Sequence, residues 1–323
     1  MDGGSAARKP LDPAKFRDPL LTATGEARAR VALARLATLW FNTGTLCNIA
    51  CASCYIESGP RNDRLSYLSA AEVRTFLDEE AALGLGLREV GFTGGEPFMN
   101  RALPAMLDDA LSRSLRALVL TNAMKPMRRF ERALLDLRAR HGDRLQLRVS
   151  LDHYGAARHD AERGAGSFAS ALDGLGWLAR NGFDVSVAGR SISGESEAEL
   201  RAGYARLFGG RAIALDAADP ARLVLFPEMD ATADVPEITE RCWSILNVAP
   251  DSVMCATSRM VVKRKGAARP VVLSCTLLPY DPAFEMGERL ADARGAVALN
   301  HPHCARFCVL GGASCSPGRS GVS

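Results

Sequence analysis

The sequence predicts an α/β protein in which a parallel sheet or barrel is followed by a small cysteine-rich α+β domain. Six apolar, strand-like runs alternate with segments of helical periodicity up to about residue 234, and this alternation is typical of βαβ units. Beyond Val235 the alternation stops and six of the nine cysteines follow. A length of 323 residues suits about two domains. We therefore expect an N-terminal extension (1–36), a core barrel (37–234) and a C-terminal domain (235–323).

The predicted strands are short apolar runs, and most lead into loops that hold glycine or polar residues. They are Thr38–Asn42, Glu89–Phe92, Arg116–Thr121, Leu145–Leu151, Asp184–Arg190 and Leu223–Phe226. In parallel sheets and barrels, functional sites lie at the carboxyl ends of the strands. The loops that follow these strands are therefore where we expect the site.

The first predicted helix has the strongest boundary signals. Ser69-Ala70-Ala71-Glu72 forms a capping box, and Gly84 and Gly86 end the apolar periodicity. Further helices are predicted near Leu103–Arg113, Met127–Arg140, Phe168–Asn181 and Glu195–Phe208. In the C-terminal domain we expect a β-hairpin over Met260–Leu273 and a short helix around Phe284–Ala293.

Composition and charge exclude several classes of protein. The chain has 40 basic and 37 acidic residues, a net charge of +3, which indicates neither a nucleic-acid partner nor a membrane surface. The basic turn Lys263-Arg264-Lys265 is interpreted as a solvated hairpin turn. Neither a signal peptide nor an apolar run of about 20 residues is present in the sequence. We therefore expect a cytoplasmic protein whose cysteines are metal ligands or redox groups.

Three cysteines form the clearest motif. Cys47, Cys51 and Cys54 follow the first strand with the spacing C-x3-C-x2-C, and thiolates are the ligands of iron-sulfur clusters. Three ligands on a four-iron cluster leave one iron open to a substrate or cofactor. The alternatives are a zinc site, for which this loop lacks a fourth ligand, and three reduced thiols in a core.

In the order and placement of its motifs, the chain resembles the radical S-adenosylmethionine (radical SAM) superfamily. The resemblance rests on Cys47 to Tyr55, Gly94-Gly95-Glu96-Pro97, Thr121-Asn122 and Ser150-Leu151-Asp152. It implies a partial (β/α)6 barrel and a [4Fe-4S] cluster that binds SAM, which is cleaved to a 5′-deoxyadenosyl radical. It also implies that Cys47, Cys51 and Cys54 bind that cluster.

The same resemblance assigns the residues around SAM. It implies that Gly94, Gly95 and Glu96 contact the SAM amino group and that Ser150 reaches the ribose, and it makes Asn122 and Arg163 candidate contacts, with Arg163 suited to the SAM carboxylate. Ser53 departs from the family, in which the residue before the third cysteine is often aromatic. His153 and His159 are either general bases or ordinary loop histidines. No catalytic residue is assigned.

The C-terminal cysteines resemble those of a Twitch domain, the shortened form of the SPASM domain, which implies one auxiliary [4Fe-4S] cluster. Its expected ligands are Cys255, Cys275 and two or three of Cys304, Cys308 and Cys315, with the set Cys255, Cys275, Cys308 and Cys315 favoured. A zinc site that includes His301 and His303 is the alternative. Cys242 is expected to be a buried thiol.

The expected activity is hydrogen abstraction from a substrate, with net oxidation of a small molecule aided by the auxiliary cluster. A small molecule is favoured because about 37 residues precede the first strand, too few for a leader-peptide-binding domain. The alternatives are a peptide maturase that forms a carbon–carbon or thioether crosslink, and a non-catalytic iron-sulfur or zinc protein. An external electron donor of the flavodoxin or ferredoxin type is expected.

Overall fold

The computed structural model describes residues 9–312. Its strands are β1 (Arg30–Val31), β2 (Thr38–Asn42), β3 (Glu89–Thr93), β4 (Arg116–Thr121), β5 (Leu145–Ser150), β6 (Asp184–Ser191), β7 (Leu223–Pro227), β8 (Ser258–Val262), β9 (Val271–Leu273), β10 (Glu285–Gly287) and β11 (Val297–Ala298). Its α-helices are α1 (Ala70–Leu83), α2 (Leu103–Ser112), α3 (Lys125–Arg128), α4 (Glu131–His141), α5 (Ala156–Arg163), α6 (Ser167–Arg180), α7 (Glu197–Gly210) and α8 (Cys242–Leu246). Over this part of the chain, no helix combines the length and apolarity needed to cross a membrane.

Within residues 9–312, nine strands form one sheet in the order β10-β9-β8-β2-β3-β4-β5-β6-β7. Strands β2 to β7 are parallel neighbours, so the six predicted strands and the α/β class are confirmed. Strand β8 adds in parallel on the other side of β2. The predicted hairpin is confirmed as β8 and β9, with Met260 opposite Leu273. The C-terminal strands therefore continue the sheet.

The two faces of the sheet pack against different parts of the chain. In β2, Leu39 and Phe41 belong to the core cluster that includes the helices α1, α2, α4, α6 and α7. Trp40, between them, belongs to a second cluster with C-terminal residues such as Met260 and Phe307. Because successive strand residues point to opposite faces, one strand serves both clusters.

Helix α1, whose boundary signals in the sequence are the strongest, begins and ends as those signals predict. The Ser69 hydroxyl accepts a hydrogen bond from the Glu72 backbone N–H at 3.2 Å, and the Glu72 carboxylate accepts one from the Ser69 N–H at 2.8 Å. Gly84 ends α1 with φ +62°, a backbone conformation that favours glycine. The capping box and the helix end are as predicted.

Two helical segments among the parallel strands β2 to β7 differ from expectation. The helix predicted over Met127–Arg140 is divided into α3 and α4, because Phe130 leaves helical geometry at φ −108° and its ring lies 6.0 Å from that of Phe98. Helix α5 was not predicted, since of its eight residues only His159 is buried. Too little apolar periodicity remains to identify it.

The helix predicted around Phe284–Ala293 is wrong. The segment forms a 3₁₀ turn over Pro282–Phe284, strand β10, and a second 3₁₀ turn over Asp292–Arg294. Glu285 pairs with Leu273 and Gly287 pairs with Val272. Pairing with the open edge of β9 thus overrides the helical spacing of the apolar residues.

The N-terminal segment packs on the region that follows the barrel. Arg28 forms a buried ion pair with Glu237 at 2.5 Å, and its guanidinium also donates to the Leu21 and Leu299 carbonyls. Strand β1 pairs with β11. Residues about 200 and 270 positions apart are therefore held together.

Gly174 on α6 provides a test of the packing. A Cβ at this position would overlap the Ala123 carbonyl, next to the predicted ligand-binding residue Asn122. Since overpacking a tight contact costs about 1–3 kcal/mol, we expect Gly174→Ala to lower the free energy of unfolding by that amount in denaturant titrations. A Cβ at Gly209 on α7 would meet no neighbouring group within 4 Å, so Gly209→Ala is the control. Equal stability of the two variants would contradict the close contact between Gly174 and the Ala123 carbonyl.

Candidate active site

One cavity lies at the carboxyl ends of the parallel strands. Cys47 reaches it from the loop after β2, Gly94 and Gly95 from the loop after β3, Thr121 and Asn122 from the end of β4. The rest of the wall comes from later strands and from the C-terminal region: Ser150, Asp152, Ala188, Arg190, Phe226, Pro227, Met229, Leu277 and Phe307. The structure thus brings together the loops in which the sequence placed the site.

The Gly94-Gly95 loop is bonded to the cysteine loop. The Gly95 N–H donates to the Gly44 carbonyl at 2.8 Å, and the Glu96 N–H donates to the Leu46 carbonyl at 3.1 Å. Gly94 has φ +137°, and a Cβ on Gly95 would overlap the Leu46 carbonyl. Glycine is required at both positions because the two backbones are in direct contact.

Glu96 is buried beneath this loop and links β3 to β4. Its carboxylate accepts hydrogen bonds from the Thr121 hydroxyl at 2.8 Å, the Asn122 N–H at 2.8 Å and the Phe98 N–H at 3.2 Å. Burial raises the pKa of Glu96 to about 7, although these hydrogen bonds and Arg163 oppose the shift. The Glu96 side chain does not line the cavity among the described residues; it holds Thr121 and Asn122, which do.

The three motif cysteines all line the cavity. Burial, together with the charges of Glu96, Cys51 and Cys54, raises the pKa of Cys47 to about 12. Burial also raises the pKa of Cys51, against the positive charges of Arg163 and Arg190. The Cys54 sulfur accepts a hydrogen bond from the Ser58 N–H at 3.3 Å. Deprotonation of such thiols accompanies metal binding.

The remaining predicted ligand-binding residues lie around the same cavity, but Arg163 is already paired. Its Nε and guanidinium N–H donate to the two Asp152 oxygens at 2.7 and 2.9 Å, and the Asp152 charge raises the pKa of Arg163 although burial opposes this. The Asn122 side chain donates to Asn48 beside Cys47 at 2.9 Å. Ser150 lies in the cavity wall.

The two candidate histidines lie outside the described cavity wall. The His159 Nδ1 accepts a hydrogen bond from the Asp152 N–H at 3.1 Å, and burial lowers the pKa of His159 to about 4. His153 Nε2 lies 2.8 Å from the Glu195 carboxylate. Both contacts are typical of histidines that hold loops in place.

The sequence reasoning missed a polar network beside the cysteines. Arg190, at the end of β6, donates to the Ser53 hydroxyl and lies 3.6 Å from Glu162 on α5. A charged residue at the carboxyl end of an apolar strand was the available signal. Arg148 on β5 also lines the cavity, although its side chain is 2% exposed.

The C-terminal cysteines lie behind one wall of the cavity. Cys304 is buried, its pKa is raised well above the usual range by burial, and Cys275 and Cys255 lie close enough to raise it further. Leu277 and Phe307, which line the cavity, stand two residues from Cys275 and one from Cys308. Cys304 belongs to the same packed cluster as Cys255, Cys275 and Cys308. Cys315 lies outside the described residues.

The other C-terminal candidates have ordinary contacts. Cys242 is half-buried, not buried as predicted, and its sulfur accepts a hydrogen bond from the Thr239 N–H at 3.3 Å. The His301 Nδ1 accepts one from the His303 N–H at 3.1 Å, and burial lowers the pKa of His301 to about 4. These contacts favour a packed thiol and packed histidines.

Comparison with known sequences identifies the family. Residues 41–202, half of the chain, match the radical SAM superfamily. The chain belongs to the radical SAM superfamily. Its fold, the order of its motifs and the shared cavity agree with this membership, and a [4Fe-4S] cluster and SAM are its cofactors.

Two curated relatives match part of this radical SAM protein. The antilisterial bacteriocin subtilosin biosynthesis protein AlbA of Bacillus subtilis (strain 168) is 30% identical over 143 residues, 44% of this chain and 30% of AlbA. The mycofactocin maturase MftC of Mycobacterium ulcerans (strain Agy99) is 31% identical over 137 residues, 42% of this chain and 35% of MftC. The chain thus matches about a third of the length of these relatives.

Solved structures share the fold at low sequence identity. Streptococcus suis SuiB bound to S-adenosylmethionine aligns with a TM-score of 0.57 and 11% identity, over 79% of this chain and 63% of SuiB. Native anSMEcpe with bound AdoMet aligns with a TM-score of 0.56 and 11% identity, over 84% of this chain and 82% of that chain. These similarities show that the chain shares its fold with both structures.

The arrangement of the cysteines fits a cluster. Among residues 9–312, no set of three or more His, Cys, Asp or Glu side chains converges on a single metal ion. A four-iron cubane needs no such convergence, because each thiolate binds a different iron. Cys47, Cys51 and Cys54 line one cavity, as the ligands of a single cluster would.

Removing any one of the three thiols tests the ligand assignment. We expect Cys47→Ala, Cys51→Ala and Cys54→Ala each to lose the SAM-binding cluster after anaerobic reconstitution, measured by iron and sulfide content and by EPR of the reduced protein. Cys242→Ala is the control, since its sulfur contacts the Thr239 N–H and hydroxyl and does not line the described cavity. Full cluster content in any of the first three variants would show that the lost cysteine is not a ligand.

Proposed function

We propose that this protein is a radical SAM peptide-modifying enzyme that oxidises its substrate with the help of an auxiliary [4Fe-4S] cluster. The observation that carries the proposal is the single cavity shared by Cys47, Cys51 and Cys54, the Gly94-Gly95 loop and the C-terminal residues Leu277 and Phe307. When bound, the cluster and SAM supply a 5′-deoxyadenosyl radical that abstracts a hydrogen atom from the substrate.

The chain's own residues hold and orient the cofactor. Cys47, Cys51 and Cys54 would hold the cluster. The backbone of Gly94 and Gly95 would contact the SAM ammonium group, and Asn122 and Ser150 would contact the remainder of SAM from the ends of β4 and β5. Glu96 acts through Thr121 and Asn122, whose positions its hydrogen bonds fix.

In this proposal Arg163 exchanges partners. Its guanidinium is bonded to both Asp152 oxygens, and a carboxylate of SAM can replace one of these bonds without leaving a buried charge unpaired. Arg163 and Asp152 both line the cavity, so the exchange needs only a small movement of the side chains. The pair thus keeps the arginine oriented before SAM arrives.

The auxiliary cluster is proposed on Cys255, Cys275 and Cys304, with Cys308 or Cys315 as a further ligand. We prefer Cys304 to Cys308 in the proposed ligand set because Cys304 is buried in the cluster on which Cys255 and Cys275 pack. Leu277 and Phe307, which line the cavity, stand two residues from Cys275 and one from Cys308. A cluster there can accept the electron that remains on a substrate radical, which makes the net reaction a two-electron oxidation.

The relatives favour a peptide as the substrate. One similar protein takes part in bacteriocin biosynthesis, another is named a maturase, and a structure with the same fold is SuiB bound to the precursor peptide SuiA. We therefore propose a peptide substrate. The short segment before the first strand favoured a small molecule instead. The proposed electron donor is an external flavodoxin or ferredoxin, and the proposed compartment is the cytoplasm.

Product analysis tests the proposal. Reconstituted enzyme, SAM and dithionite are incubated anaerobically with short peptides encoded beside its gene, and we expect 5′-deoxyadenosine together with a peptide lighter by two hydrogens. Fragmentation by mass spectrometry separates a crosslink, which leaves linked fragments, from a simple dehydrogenation. Release of 5′-deoxyadenosine without any modified peptide would favour the small-molecule alternative, and its complete absence would contradict an enzyme.

The auxiliary cluster makes a separate prediction. We expect two [4Fe-4S] clusters per chain, hence about eight irons, and loss of half the iron in Cys255→Ala and Cys304→Ala, measured by iron analysis and Mössbauer spectroscopy. Both variants keep the cysteine loop after β2, so SAM cleavage without substrate should persist. A single cluster in the wild-type protein would contradict the proposed electron acceptor.

A further inference from the structure

A hydrogen-bonded network of three side chains joins the cysteine loop to two barrel elements. Ser53, between Cys51 and Cys54, donates to the Glu162 carboxylate on α5 at 2.5 Å. Arg190, at the end of β6, donates to the same Ser53 hydroxyl. Arg190 and Glu162 also lie within ion-pair distance, 3.6 Å apart.

The network is fixed at several backbone positions. The Ala52 N–H donates to the Glu162 carbonyl at 2.7 Å, so Glu162 holds the loop through its backbone as well as its side chain. The Arg190 N–H donates to the Asp152 carbonyl at 3.0 Å. The two charges therefore have defined positions relative to the turn that bears Cys51 and Cys54.

The network lies close to the cysteines, and its two charged side chains are partly buried, whereas Ser53 is exposed. Arg190 and Ser53 line the cavity with Cys51 and Cys54. The Arg190 side chain is 14% exposed and that of Glu162 is 25% exposed. Charges removed from water are screened less, so their effect on a nearby redox group is larger than at the surface.

We propose that the Arg190–Glu162 pair, bridged by Ser53, sets the reduction potential of the cluster held by Cys47, Cys51 and Cys54. Arg190 acts as a positioning residue that stabilises the reduced cluster, and Glu162 limits that stabilisation. The inference rests on the proposed ligand assignment of these cysteines. It gives a role to Ser53, the position at which the chain departs from its family.

The direction in which each substitution shifts the reduction potential follows from the charge that it removes. Reduction adds one electron, and thus one negative charge, to a cluster already bound by three thiolates. The guanidinium favours this added charge and the carboxylate opposes it. Neutralising Arg190 should therefore lower the potential, whereas neutralising Glu162 should raise it.

The test is the midpoint potential of this cluster, measured by EPR-monitored redox titration without SAM. We expect Arg190→Gln to reduce the equilibrium constant for cluster reduction about tenfold, a shift of about 59 mV to lower potential for one electron. Glu162→Gln should shift the potential in the opposite direction, and Arg190→Lys, which keeps the charge, should remain near wild type. To isolate this signal, the titrations are made in the Cys255→Ala background.

The control is Arg158→Gln, which removes an arginine from the same helix as Glu162 but from a position paired with Glu195 and 53% exposed. Iron content is measured for every variant. Unchanged potentials in Arg190→Gln and Glu162→Gln, with the cluster intact, would overturn the inference, as would shifts of the same sign. Loss of the cluster in Cys51→Ala but not in these variants shows that the ligand assignment stands independently.

Discussion

The backbone contact between the Gly94-Gly95 loop and the cysteine loop is the constraint on which the site depends. Two hydrogen bonds, from the Gly95 and Glu96 N–H groups to the Gly44 and Leu46 carbonyls, join loops about 50 residues apart. The distance between these backbones leaves no room for a Cβ on Gly95. Because Cys47 directly follows Leu46, the contact places the first proposed cluster ligand beside the loop proposed to contact SAM. Glu96 extends the same connection to Asn122 on β4.

Charge is arranged around the cysteines in two ion pairs. Arg163 is bonded to Asp152 and Arg190 lies beside Glu162, and both arginines oppose the increase in the Cys51 pKa that burial causes. Each pair has a different proposed role. Arg163 can exchange its carboxylate partner for that of SAM, whereas Arg190 is tied to the cysteine loop by Ser53. The hydrogen bonds that hold the cysteine loop thus also place charged side chains close to the cysteines.

Sequence reasoning succeeded where the information is local. The capping box at Ser69, the spacing of Cys47, Cys51 and Cys54, and the glycines after β3 each lie within a few residues, and the structure contains the predicted strands, helix end and shared cavity. It failed where distant residues meet. The bond between Ser53 and Arg190 spans 137 positions, and Leu277 and Phe307 line the cavity although they lie far along the chain from the parallel strands β2 to β7. The helix predicted around Phe284–Ala293 was lost to pairing with β9 for the same reason.

The most direct test of the account is the EPR spectrum of the reduced protein before and after addition of SAM. We expect SAM to change the signal of one cluster, the one with an iron that lacks a cysteine, and we expect this change to disappear in Cys47→Ala. The change should persist in Cys255→Ala, in which only the auxiliary cluster is removed. A reduced cluster whose spectrum is unaffected by saturating SAM would contradict the central claim that the cavity brings SAM to the open iron.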